Sequence, residues 1–216
     1  MDGKEIIARR VAGELRHRML VNLGIGLPTL VSRYVPEGMV VAFQSENGII
    51  GFGAQPPDGM EDPNLTDAGG GYISALPGAY SFDSAMSFAL IRGGHLDMTV
   101  LGGLQVDASG RLANWMVPGR MVAGMGGAMD LVAGAKRVVI AMQHAARGEA
   151  KIVPLLTLPP TAARPVSLVV TDLAVIEPTP EGLVLRERAP GVGVDEILAA
   201  TTAPLILPDA IPEMRL

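Results

Sequence analysis

Glu46, in the run Gln44-Ser45-Glu46-Asn47-Gly48, is the residue whose type and position carry the most chemistry in this chain. The apolar run Met39–Phe43 before it reads as a short buried parallel strand, and Gly48, Gly51 and Gly53 follow at once. A carboxylate at the C-terminal end of such a strand lies where open α/β sheets place their ligands. It is also costly to bury without a partner. Two uses are open: a catalytic group in a substrate cleft, or one half of a structural ion pair with Arg33 or Arg92. A glutamate nucleophile needs an acyl carbonyl held beside it and donors for the oxygen that gains charge. Gly126-Gly127-Ala128 opens a helix, and a helix start carries unpaired N–H groups and a partial positive charge that suit an anion. Asn22, at the end of an apolar strand and before Gly24-Ile25-Gly26, offers a side-chain amide. Taken without other information, Asn22 is a turn former and the two glycines serve a tight turn.

The elements that must position these groups follow from periodicity. Ile6, Ile7, Val11, Leu15 and Met19 recur at helical spacing and predict an amphipathic helix over residues 4–19. A strand end at 20–23 leads through the glycine turn to Pro28, which suits the first turn of a helix running to Tyr34. After the strand at 39–43, residues 54–80 read as a long irregular segment, and such segments are usually functional or flexible. Asp83 caps a helix to Ile91, and a strand at 97–101 ends at Gly102-Gly103. A turn at 107–110, a short helix through Ala133, and strands at 137–142, 166–171, 173–177 and 183–187 complete the pattern, with a short helix from Asp195. Short apolar strands alternating with helices indicate an open, mostly parallel α/β sheet with helices on both faces and a β-rich C-terminal decoration. All 216 residues are read as one domain.

Composition excludes several classes. Hydrophobic residues make up 49% and charged ones 18%, yet no apolar run approaches the roughly 18–20 residues of a membrane span. The N-terminus, with Lys4, Glu5, Arg9 and Arg10, lacks the order of a signal peptide. The apolar surplus is expected to cover a subunit interface, so the chain is expected to be oligomeric. A net charge of −5 argues against a nucleic-acid surface. The absence of cysteine removes thiol nucleophiles and disulfides and fits a cytoplasmic protein. Three separated histidines, His17, His95 and His144, make zinc or non-haem iron a poor expectation. His95 and His144 read as structural histidines, and Trp115 as core or interface filling. There is no phosphate-binding Gly-x-x-x-x-Gly-Lys-Ser/Thr loop and no Gly-x-Ser-x-Gly elbow.

Against that background the chain resembles the β subunit of a class I CoA-transferase of the 3-oxoacid type. The runs that carry the resemblance are Asn22–Thr29, Gln44–Gly48, Ile91–Asp97, Leu112–Met116, Gly124–Asp130 and Ala189–Val192, with looser matches at Leu155–Pro159 and Thr171–Ala174. They span almost the whole chain in order. The resemblance implies a ping-pong transfer in which Glu46 attacks an acyl-CoA and then carries CoA as a glutamyl thioester. It further implies that Gly127, flanked by Gly126 and Ala128, and Asn22 hold the thioester oxygen. No permanent cofactor is implied; coenzyme A enters as acyl-CoA substrate. An α subunit completing the site, in an α2β2 assembly, is the implied partner. The expected exchange is between succinyl-CoA and a 3-oxoacid such as acetoacetate or 3-oxoadipate. The alternatives are transfer to acetate or another short acid, and a non-catalytic ligand-binding member of the fold. Departures from the family pattern fall at Ala54–Pro57, Gln143 and Leu156–Ala162. They leave the reaction type standing and bear on acyl specificity.

Overall fold

The computed structural model describes residues 1–119 and 126–216. Helix α1 (Gly3–Ala12) is capped by Asp2, whose side chain accepts from the Glu5 N–H, and buries Ile7, Ala8 and Val11. It stops at Gly13, well short of residue 19, because the chain must turn to enter the sheet. Leu15 still buries, and Arg18 takes a left-handed φ of 66°. Strand β1 (Leu20–Leu23) is followed by a 3-10 helix, Leu27–Tyr34, with Pro28 in its first turn as predicted. Strand β2 is Ala42–Ser45 rather than 39–43. Val40 is 62% exposed, and its main chain is taken up by Arg18 and His17 before pairing with β1 begins.

Strand β3 (Ile49–Phe52) turns straight back on β2, so Glu46, Asn47 and Gly48 form the tip of a tight hairpin. The segment read as irregular contains β4 (Ala75–Ser81), which pairs with β3. Helix α2 (Ser84–Arg92) starts on Asp83, then β5 (Met98–Leu101), β6 (Gln105–Asp107) and β7 (Leu112–Ala113) follow. Helix α3 runs Ala128–Gly134; the predicted approach to it through Gly124 and Met125 lies outside the described residues. The rest comprises β8 (Arg137–Ala141), β9 (Ala145–Ala146), β10 (Glu149–Ala150), β11 (Ile152–Val153), β12 (Leu168–Val170), β13 (Ala174–Thr179), β14 (Gly182–Arg188), α4 (Val194–Ala199) and β15 (Leu205–Ile206).

One ten-stranded sheet runs β15-β14-β13-β12-β8-β5-β1-β2-β3-β4. Its centre, β2-β1-β5-β8-β12, is parallel, and β3, β4, β13 and β14 extend it with antiparallel pairs. The C-terminal β-rich decoration is thus a continuation of the main sheet. Parallel strands buried on both faces read as continuous apolar runs. Val21, Leu23, Phe43, Met98 and Val100 pack on one face with Ile7 and Val11 of α1, while Leu101, Val138 and Ile140 pack on the other with Ile91 of α2 and Leu131 of α3. The chain steps from β1 to β2 on one side and returns to β5 on the other. That reversal of strand order opens a crevice beyond the strand ends. Among the described residues no helix is long and apolar enough to cross a membrane.

Candidate functional site

Glu46 stands at this crevice. Its hairpin tip is fixed by Gly48, whose φ of 122° suits glycine and whose position leaves no room for a Cβ against the Phe82 carbonyl. The neighbours of Glu46 are tied to one turn. Ser45 Oγ accepts from the Ala68 N–H at 2.9 Å, and Asn47 Nδ2 donates to the Thr66 carbonyl at 2.7 Å. Asp67 closes that turn by accepting from the Gly69 and Gly71 N–H groups. The tip that bears Glu46 and the turn beside it are therefore one hydrogen-bonded unit.

The half-buried Glu46 carboxylate points at the start of α3. The Gly127 N–H donates to Oε1 at 3.0 Å, whereas Oε2 has no hydrogen-bond partner among the described residues. A Cβ on Gly127 would sit 2.7 Å from Oε2 and 3.0 Å from Cδ, so only the bare backbone lets the carboxylate come this close. Gly126, at φ 55°, approaches Oε1 as well, with a Cβ position 3.2 Å away. Ala128 lines the same cavity. Among the described residues Glu46 forms no ion pair with either expected partner, Arg33 or Arg92; Arg92 bonds Asp130 at 2.7 Å instead.

Asn22 is brought to the same place but is almost fully buried, at 1% exposure. Its Nδ2 donates to Gln44 Oε1 at 2.8 Å and to the Gln44 carbonyl at 3.2 Å, while Oδ1 accepts from Thr99 Oγ1 at 3.0 Å. All its polar atoms are engaged within the chain. The cavity in front has a volume of about 390 Å³ and joins Asn22, Glu46, Gly126, Gly127 and Ala128, the five residues singled out from sequence. It also takes in Ala68, Leu104, Asn114, Trp115 and Leu131, which sequence reasoning did not assign to a site. Trp115 is set by its Nε1 donating to the Pro160 carbonyl at 3.3 Å. Asn114 is set by Thr161, whose Oγ1 donates to Oδ1 at 2.7 Å. For Asn114 and Trp115 the available signal was a polar and an aromatic residue leaving the β6–β7 hairpin on the side of the strand ends.

The histidines stand apart from this cavity. His144 is buried, bonded through its ring to Thr171 and Thr201, and burial pulls its pKa down to about 4, against a smaller upward pull from Asp172. Among the described residues no cluster of histidine and carboxylate side chains is placed to hold a metal ion.

Residues 4–200 match the coenzyme A transferase family. The chain is 55% identical to the acetate CoA-transferase β subunit of Escherichia coli K12, over 94% of this chain and 93% of that one. It is 49% identical to one subunit of the succinyl-CoA:3-ketoacid coenzyme A transferase of Helicobacter pylori strain 26695, over 93% of this chain and 97% of the other. In fold it resembles an acyl-CoA transferase from Escherichia coli O157:H7, with a TM-score of 0.77 at 22% identity, covering 99% of this chain and 43% of that one. The chain thus spans less than half of that solved protein and nearly the full length of the two curated relatives.

Proposed function

Because this chain belongs to the coenzyme A transferase family, we propose that Glu46 is its nucleophile, moving CoA from an acyl-CoA to a carboxylic acid through a covalent glutamyl-CoA thioester. The observation that carries the reading is the asymmetry of the carboxylate: Oε1 accepts from the Gly127 N–H, Oε2 has no hydrogen-bond partner among the described residues, and Glu46 lines the cavity. Oε2 attacks the acyl carbonyl carbon, the C–S bond breaks, and an acyl–glutamyl anhydride and CoA thiolate result. The thiolate attacks Glu46 Cδ and expels the donor's carboxylate, leaving the thioester. An acceptor carboxylate attacks that thioester and releases the thiolate, which then takes the acyl group and frees Glu46. Every step exchanges one anion for another, so no general base is required. Oε1 becomes the thioester oxygen, and it gains charge in the two tetrahedral intermediates formed by attack at Cδ, while the Gly127 N–H is already in place. The Asn22 amide is the second proposed donor.

The ketoacid relative supports succinyl-CoA as donor and a 3-oxoacid as acceptor. A second reading, transfer to acetate or another short monocarboxylate, is supported by the acetate CoA-transferase relative and by the apolar wall that Leu23, Leu101, Leu104 and Leu131 give the cavity. Relatives named as subunits support a partner α chain, in our reading an α2β2 assembly. Tyr80, Leu76 and Met86, exposed at the β4 end of the sheet, are apolar surface such a partner could bury.

The test is to incubate the assembled complex with acyl-CoA, trap with hydroxylamine, and map peptides by mass spectrometry. A modified Glu46 is expected. Turnover without modification at Glu46 would overturn the proposal.

A further inference from the structure

Three adjacent parallel strands each place a polar residue on the same face of the sheet, and the register sets these residues side by side. Asn22 on β1 pairs with Gln44 on β2 and with Thr99 on β5. Their side chains lie on the face covered by α2, whose Ser87 is also buried. Thr99 Oγ1 donates to Asn22 Oδ1 at 3.0 Å, Asn22 Nδ2 donates to Gln44 Oε1 at 2.8 Å, and Gln44 Nε2 donates to Ser87 Oγ at 2.9 Å. The row has one sense only. Turning the Asn22 amide over would set Oδ1 against the Gln44 main-chain carbonyl, which cannot donate. Turning the Gln44 amide over would set two NH2 groups against each other.

We infer that Gln44 and Thr99 are positioning residues that aim the Asn22 amide at the glutamyl oxygen. This rests on the reading of Asn22 as a donor. Thr99 holds Oδ1 away from the site, and Gln44 Oε1 holds one N–H through the shorter bond. The other N–H is on the longer bond, 3.2 Å to the Gln44 carbonyl, and is the one exchanged when a charged oxygen forms beside it. A charge-assisted bond is stronger than the neutral one it replaces, so the exchange favours the intermediate over the resting state. Because Gln44, Ser87 and Thr99 are fully buried, the bonds among them and to Asn22 Oδ1 are shielded from exchange with water.

The experiment is a double-mutant cycle in the complex assembled with its α chain, reading kcat, KM and melting temperature. Asn22→Ala should lower kcat by about a hundredfold, the loss typical of one oxyanion donor. Thr99→Val and Gln44→Met should each lower kcat by about tenfold with KM within about twofold, since misaim is a fraction of that loss. Thr99→Ser, which keeps the hydroxyl, should restore kcat to within about twofold. In the Asn22→Ala background Thr99→Val should add no further loss, because its partner is gone. A Thr99 that merely stabilises the fold would lower kcat equally in both backgrounds, and that result overturns the inference even if the single variant melts early. Unchanged kcat in Thr99→Val and Gln44→Met with a large loss in Asn22→Ala overturns the positioning role alone. Unchanged kcat in Asn22→Ala would instead remove the donor reading beneath it.

Discussion

Gly127→Ala isolates the closeness of the α3 start to the Glu46 carboxylate from everything else in the fold. Gly127 sits at φ −83°, ψ 6°, a conformation open to alanine, so the change adds no backbone strain. The new methyl would lie 2.7 Å from Glu46 Oε2, about 0.7 Å inside ordinary contact, and 3.2 Å from Phe88 Cζ. The carboxylate is the end of a flexible side chain and can retreat, so the effect on stability should stay under about 1 kcal/mol. Retreat lengthens the bond from the 127 N–H to Oε1 and moves Oε2 off its line of attack. A displacement approaching 1 Å costs on the order of a hundredfold in rate, or about 3 kcal/mol of barrier. The assay is steady-state CoA exchange by the assembled complex, beside a melting curve of the same preparation. A kcat within twofold of wild type, at unchanged melting temperature, would refute the assignment of Oε1 and Oε2 and with it the role given to Gly127.

Glu46→Asp retracts the carboxylate by one methylene from the Gly127 N–H and should lower exchange by at least about a hundredfold; a loss under fivefold in the same assay would count against direct attack by this group. His144, held near pKa 4 by burial, is neutral when folded, whereas the unfolded chain takes up its proton from about pH 6.5 downward. Its contribution to stability is therefore lost as pH falls through that window: about 2 kcal/mol between pH 7 and 5, levelling below pH 4. Urea titrations of wild type and His144→Gln should show the variant with the shallower pH dependence, and equal slopes would rule out this source. Arg10 spans α1 and β14 through a two-pronged pair with Glu187 at 2.6 and 2.7 Å and also bonds Glu14. Arg10→Met should destabilise by about 2 kcal/mol, discounted from a fully buried pair, while kcat stays put; a shift in urea midpoint near zero would show the network to be dispensable.

Much of the architecture was legible because the central strands are largely apolar runs, and β1 and β5 are closed by glycine. Pro28, Asp83 and Gly93 marked true helix ends for local reasons that travel with the residue. The misplaced boundaries have tertiary causes. Periodicity continues through Leu15 because that side chain buries from a turn as well as from a helix, and Met39–Val41 is apolar yet lies outside the pairing that begins at Ala42. Strands β3 and β4 were missed because Gly51 and Gly78 interrupt them, and β4 exposes nearly all its side chains. In the site, Glu46 stood out by its position after an apolar strand, whereas Gly126 and Gly127 read by themselves as a tight turn; only the fold shows their backbone close against its carboxylate. The buried row was readable only in part. Asn22, Gln44 and Thr99 each break an apolar run, but which strand lies beside which follows from the sheet order, and no local pattern contains that.

The hairpin that carries Glu46 has a consequence for how such a protein can change over evolutionary time. Glu46 rides on a three-residue connection, where Gly48 fills its space completely and both flanking side chains are tied down. An insertion or deletion there would break the tip. The stretch from Ala54 to Ser74, which furnishes Ala68, is longer and lies largely at the surface, and Asn114 and Trp115, around the same cavity, follow β7 at partly exposed positions. Reaction and substrate range thus rest on backbone of unequal tolerance, and a lineage could retune which acid is accepted by lengthening or recolouring these outer segments while the covalent step stays fixed.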